Sequence, residues 1–219
     1  MKPRDWLLDL LFPPKCPFCQ TILEDPRSPL CPDCQPKLPW LEGKGGERRV
    51  DFADGCFSPL AYRDQVPEAV RRYKFGGVRA YAEPFGLLMA QCARDRGLEG
   101  DALVWAPLSP KRLRQRGYDQ AELLARAACR LWDTEPVRLL NKSVDNPAQS
   151  GISDAAARRA NVLGVYEVCG GAAGKRVLLI DDICTTGATL SECARVLKDA
   201  GAESVVCATV SKTREKFKK

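Results

Sequence analysis

From Asp51 onward two patterns of apolar residues alternate along the chain. Short apolar runs read as strands: Phe57–Tyr62, Ala102–Ala106 (ended by Pro107), Val137–Leu140, Tyr166–Val168 as an edge strand, Arg176–Ile180 and Ser204–Val210. Segments with apolar residues every three or four positions read as helices. Glu68–Phe75 stops at Gly76-Gly77. Tyr81–Arg96 tolerates Pro84 only in its first turn and stops at Gly97. Asp119–Trp132 sets Ala121, Leu124, Ala125, Ala128 and Leu131 on one face. Ser153 caps a short helix through Arg159, and Ala188–Asp199 is a further helix. This alternation predicts an α/β domain with a largely parallel sheet. Val177-Leu178-Leu179-Ile180 holds no polar residue, so helices should cover both faces of that strand.

Residues 1–40 break the pattern, being rich in Pro, Cys and Leu. Leu41–Val50 is rich in Gly and charge and reads as a linker. The chain therefore divides into a small domain over residues 1–45 and a main domain over 51–219. Its 219 residues suffice for both.

Lys and Arg outnumber Asp and Glu by 6, a balance that permits a polyanionic partner without requiring one. The absence of histidine says more. It excludes Ser-His-Asp and Cys-His catalysis, imidazole metal ligands and imidazole proton relays. The 11 cysteines are an odd number, so at least one stays unpaired. Asp5 and Asp9 interrupt the apolar stretch Met1–Phe12, and no small-residue cleavage site follows it, which argues against a secretory signal. No run approaches the roughly 20 apolar residues of a membrane span. A cytoplasmic, reducing compartment is the expectation, with cysteines as metal ligands or core residues.

Cys16-Pro-Phe-Cys19 and Cys31-Pro-Asp-Cys34 are two knuckles with 11 residues between them. Cys16, Cys19, Cys31 and Cys34 can form a tetrahedral S₄ site for structural Zn²⁺; disulfides or an iron–sulfur cluster are the alternatives. The Trp6–Phe12 stretch is expected to pack this ribbon on the main domain, or else to lie on a membrane surface. Of the rest, Cys56, Cys92, Cys129, Cys169, Cys193 and Cys207 read mostly as core residues. Cys184 lies near a helix start, where a thiol pKa is lowered.

The most informative segment is Val177–Thr189, VLLIDDICTTGAT. An apolar strand runs into two carboxylates, then a loop with Thr185, Thr186, Gly187 and Thr189, then a helix. Ligands of parallel sheets sit at the C-terminal ends of strands, and a helix start presents free amides to an anion. The loop suits a phosphate monoester, and Asp181 and Asp182 can accept hydrogen bonds from sugar hydroxyls. A Walker A loop is absent. Farther upstream, Lys111, Arg112, Arg114 and Arg116 lie between Ala106 and Tyr118 with no acid among them. Such density reads as a solvated basic loop, a nucleic-acid contact or a site for another anion. Pro107-Leu108-Ser109-Pro110 reads as a turn whose amides can face an anion.

VLLIDDICTTGAT resembles the phosphoribosyl pyrophosphate (PRPP) motif of type I phosphoribosyltransferases. The resemblance implies five mostly parallel strands flanked by helices, with a variable hood. It assigns the ribose hydroxyls to Asp181 and Asp182, as the catalytic pair. It assigns the 5-phosphate to the loop Cys184–Thr189, so that Asp181, Asp182, Ile183, Cys184, Thr185, Thr186, Gly187, Ala188 and Thr189 bind PRPP. Val104–Gln120, VWAPLSPKRLRQRGYDQ, resembles the second motif of the ComF family, phosphoribosyltransferase-like proteins of DNA uptake, whose pattern is close to VPLHxxRLxxRGFNQ. RRYKFGG at Arg71–Gly77, QSGISDAAARRANV and Val165–Val168 resemble further segments of it. With the cysteine pairs, the resemblance spans nearly the whole chain. It implies a loop for pyrophosphate or substrate built from Leu108, Ser109, Lys111, Arg112, Arg116 and Gln120. Ser109 stands for the family's His, Tyr118 for Phe and Asp119 for Asn, so a role carried by that His does not transfer.

Two functions follow from this. One is a PRPP-dependent transferase, in which Mg²⁺ held by pyrophosphate and ribose oxygens neutralises the leaving group and no histidine is needed. The other is a competence factor that binds single-stranded DNA and other DNA-uptake proteins and uses the pocket for a nucleotide-type small molecule. There Arg71, Arg72, Lys74, the Lys111–Arg116 segment and the basic tail Lys212–Lys219 would contact phosphates.

Overall fold

The computed structural model describes residues 13–25, 28–98, 100–146, 157 and 160–214. The helix expected from Ser153 lies outside them except for Ala157, and the Trp6–Phe12 stretch lies wholly outside.

Strands β1 (Gly55–Phe57), β2 (Leu60–Ala61), β3 (Ala102–Trp105), β6 (Arg176–Cys184) and β7 (Ser204–Lys212) form one sheet in the order β1-β7-β6-β3, with β2 also on β7. Every pairing in it is parallel. Where the apolar pattern suggests one strand over Phe57–Tyr62, the chain forms two. Pro59 has no amide to give the ladder, and β1 and β2 follow each other along the same side of β7. A separate antiparallel pair joins β4 (Leu140–Lys142) to β5 (Tyr166–Val168). The Val137–Leu140 run therefore enters its strand only at Leu140, while the Val137 amide makes a single bond to the Leu103 carbonyl at 2.8 Å.

Helices α1 (Val66–Phe75), α2 (Ala82–Arg94) and α4 (Gln120–Cys129) pack on one face of the sheet, against Leu103, Trp105, Leu178 and Ile180. Helix α5 (Ala188–Asp199) and the β4–β5 pair cover the other, against Val104, Val177 and Leu179. Alternate residues of the Val177–Ile180 run thus enter different cores, as an unbroken apolar strand requires. Six of the seven cysteines outside the knuckles are buried, while Cys169 is exposed.

Two further segments differ from the sequence expectation. Pro110–Arg116 is a short helix, α3, rather than a loop. Ser109 caps it by accepting from the Arg112 amide, Pro110 sits in its first turn, and Gly117 ends it at φ +74°. These end signals outweigh the uniform charge that suggested a loop. Leu41–Val50 is not a free linker either. It holds a 3₁₀ turn at Gly43–Gly46, and it runs beside the sheet through bridges Trp40↔Leu60 and Glu47↔Phe57.

Helices α2 and α4 meet at Gly86. A Cβ there would lie 2.5 Å from Ala127 Cβ and 2.8 Å from the Leu124 carbonyl oxygen. Gly86→Ala should therefore cost about 3 kcal/mol through overpacking, although alanine is the better helix former. Urea unfolding should show a lower midpoint at unchanged slope, and an unchanged midpoint would refute this close approach.

Candidate functional site

The site gathers at the C-terminal ends of β3 and β6. Asp181 and Asp182 lie within β6, which extends four residues past the apolar run that announced it. Adjacent strand residues face opposite ways, so the two carboxylates have different surroundings. Asp182 is buried and pairs with Lys74 Nζ of α1 at 2.8 Å. The sequence reading had offered Lys74 to nucleic acid, yet it turns inward to this carboxylate. Asp181 accepts from the Asp182 amide at 2.8 Å. Burial, with the neighbouring Asp182 charge, pushes its pKa up to about 8 despite Lys74.

After β6 the chain turns into α5. Gly187 adopts φ +79°, and a Cβ there would meet Val50 at 3.1 Å. Thr186 Oγ1 accepts from the Ala188 amide at 3.3 Å. The loop is braced from behind. Arg48 Nη1 donates to the Cys184 and Thr213 carbonyls at 3.2 and 3.1 Å, and the Thr213 hydroxyl donates to the Thr185 carbonyl at 3.1 Å. Val50 and Arg48 belong to the supposed linker, so its role in shaping this loop was invisible in composition. Thr185, Thr186 and Thr189 are half-buried at the loop, while Cys184 is buried. Its thiol pKa is raised rather than lowered, by the neighbouring Cys56 thiol and by burial. The nearby helix start does not offset them, and Cys184 is a core residue.

The second motif sits beside this loop. The amide of half-buried Leu108 is not open to an anion: it donates to Asp119 Oδ2 at 2.7 Å. Asp119 also caps α4 through the Ala121 and Glu122 amides, and burial pushes its pKa up to about 6. Arg116 donates to Gln120 Oε1 at 2.8 Å and stacks over the exposed Phe75 ring at 5.0 Å. Gln120 is buried, and its Nε2 has no partner among the described residues. Ser109 is buried, Arg112 half-buried, and Lys111 and Arg114 exposed.

Lys142 escaped the sequence reading. It is only 6 % exposed, on β4, the same side as Leu140. Burial, then the Arg112 charge, bring its pKa down to about 8. The signal was present in the strand alternation: a lysine two positions from a buried leucine faces the core.

On the α1–α2 side of the molecule, the sulfurs of Cys16, Cys19, Cys31 and Cys34 all lie within 4.8 Å of one another. Two of them, Cys19 and Cys31, are 3.5 Å apart. Four thiolates about 2.3 Å from a tetrahedral Zn²⁺ lie about 3.8 Å from each other, so this donor set fits zinc with no position open for chemistry. The cluster is joined to the main core: Phe18 meets Phe85 of α2 edge-on at 5.9 Å. Among the described residues no helix is long and apolar enough to cross a membrane.

Two protein families match parts of the chain. The phosphoribosyl transferase domain family matches residues 121–219, and the double zinc ribbon domain family matches residues 7–45. Competence protein ComFC of Streptococcus pneumoniae is 31 % identical over 190 residues, covering 87 % of this chain and 77 % of that protein. Competence protein F of Haemophilus influenzae is 27 % identical, covering 87 % of this chain and 93 % of that one. DNA utilization protein YhgH of Escherichia coli is 26 % identical, covering 87 % and 80 %.

Proposed function

The chain belongs to the ComF family, and from that premise we propose that its strand-end site binds PRPP, or another ribose 5-phosphate, together with Mg²⁺. The observation that carries this reading is the run from the carboxylates of β6 through the braced threonine loop into α5. Asp181 and Asp182 accept the ribose hydroxyls. Thr185, Thr186, Thr189 and the amides at the start of α5 take the 5-phosphate, and Gly187 lets the backbone approach it. Mg²⁺, when bound by ligand oxygens, supplies charge neutralisation of the pyrophosphate. Lys74 pairs with Asp182 and orients it. The double ribbon carries structural Zn²⁺ on Cys16, Cys19, Cys31 and Cys34. The names of the relatives support a role in DNA uptake or utilisation, with nucleotide salvage as the activity such a site would serve.

The test is calorimetry of the full chain with PRPP and with ribose 5-phosphate, each with Mg²⁺. Saturable binding at one site is expected, and silence with both ligands would overturn the assignment. Pyrophosphate release with a panel of bases then reports catalysis. A second reading, single-stranded DNA held without catalysis, is favoured by the exposed Phe75 ring backed by Arg116 and by exposed Lys111 and Arg114. Silent PRPP titrations combined with DNA affinity falling steeply with salt would select it.

A further inference from the structure

Lys142 Nζ lies 5.2 Å from the centre of the Tyr166 ring on β5. The other groups whose charges act on it are Arg112 of α3, Cys193 of α5, Asp181 of β6 and Asp145 just beyond β4. Among the described residues no carboxylate pairs with it. A ring face steadies a cation but accepts none of its three N–H bonds in the manner of an oxygen. An ammonium buried this way is costly without an anionic partner.

Asp145, an exposed residue, reaches two further groups here. It accepts the Ser109 hydroxyl, and its other oxygen is 3.5 Å from Lys111 Nζ. Arg112 donates to the neighbouring Asn146 carbonyl, a neutral acceptor. With the pKa of Asp181 pushed up to about 8, so that it is largely neutral at pH 7, one charged carboxylate and one peptide carbonyl thus stand before one hydroxyl and three cations. The carboxylate is held below its usual pKa, first by the Ser109 hydroxyl, with desolvation opposing, and then by Lys111 and Arg112. The cationic side is in excess, and Lys142 is the member left over. A polyphosphate has the additional charge and oxygens to satisfy all of them.

We propose that Asp145 is an internal stand-in for an anion, and that a pyrophosphate-type ligand binds to Ser109, Lys111, Arg112 and Lys142 by displacing it. The assignment of this anion as the diphosphate end of PRPP rests on the reading under Proposed function. Asp145 then acts as a competitor built into the chain. Its removal strengthens binding, whereas removal of an ordinary structural or metal-binding carboxylate weakens it.

The experiment is calorimetry of the full chain with inorganic pyrophosphate and Mg²⁺ at neutral pH, beside ribose 5-phosphate as a separate probe. Asp145→Ala should bind pyrophosphate about tenfold more tightly than the parent, the scale of one charge-assisted contact. Asp145→Asn, which keeps the shape and loses the charge, should fall between. Lys142→Met should bind it at least about tenfold more weakly while melting no lower than the parent, because a buried unpaired charge is gone. Ribose 5-phosphate affinity should stay the same in all three. Unchanged or weaker pyrophosphate binding by folded Asp145→Ala and Asp145→Asn overturns the stand-in, as does unaltered binding by Lys142→Met. Absence of ribose 5-phosphate binding in every protein overturns the sugar-phosphate reading instead, and the pyrophosphate arm still decides the role of Asp145.

Discussion

Replacing Cys16 by Ser should lower the melting temperature of the whole protein by about 10 °C, not merely loosen its N-terminal ribbon. Losing a structural zinc site removes several kcal/mol at least, and each kcal/mol moves a domain of this size by about 2–4 °C. The reason the loss spreads is packing. Cys16, Phe18, Leu23, Leu30, Cys31, Cys34 and Leu38 share one apolar cluster with Tyr73, Phe85 and Met89 of α1 and α2. Phe85 also meets the Tyr73 and Tyr81 rings edge-on, at 5.7 and 6.1 Å. When the ribbon opens, this face of the α-helical layer loses its cover. Metal analysis of protein purified without chelator should find about one zinc per chain, and strong chelators should reproduce the shift. A chelated, metal-free protein that melts like the parent would show that the ribbon's contacts do not depend on metal.

Asp181→Asn together with Asp182→Asn should abolish PRPP binding, yet the single changes should move stability in opposite directions. Asp181 has a native pKa of about 8 against an unfolded value of about 3.9. Between those values the native state binds more protons than the unfolded state, so the parent loses stability as pH rises through the window. Asp181→Asn removes that dependence. It should match or exceed the parent near pH 4 and gain over it progressively toward about pH 8. Asp182→Asn leaves Lys74 without its carboxylate at a largely buried position and should destabilise by about 1–3 kcal/mol. Melting curves across pH for each variant check the signs. A parent whose stability rises toward pH 8 relative to Asp181→Asn would refute the buried, repelled carboxylate. Retained PRPP affinity in the double variant would remove the carboxylates from the site.

Much of this was legible in the sequence because the signals were local. An apolar run followed by two carboxylates, three threonines and a glycine is written in consecutive residues, and so are the two cysteine knuckles. Helix α5 has its bounds where the periodicity set them, at Ala188–Asp199. The misread parts depend on partners far away in the chain. One is an exception: Pro110–Arg116 carries its helix signals locally, in Ser109, Pro110 and Gly117, but its four basic residues suggested a loop. The Arg48–Val50 stretch looks like a linker until it is seen beneath the threonine loop. Lys74 resembles a solvated charge in a string of letters, and so does Lys142 unless its alternation with Leu140 is weighed. Their burial is a property of the tertiary structure, and their proximity to Asp182 and Asp181 makes them functional candidates.

The order of the sheet also governs how the protein is made. Among the described residues β7 is the latest strand, yet it lies between β1 and β6, and Thr213 just beyond it clamps the threonine loop. A nascent chain can form its ribbon and its early helices during synthesis, but until β7 arrives β1 has only the bridge from Glu47 to Phe57 beside it and no parallel strand. The ligand loop is therefore complete in sequence well before it has its shape. Until β7 emerges from the ribosome, the exposed edges of β1 and β6 are the surfaces most prone to wrong pairing.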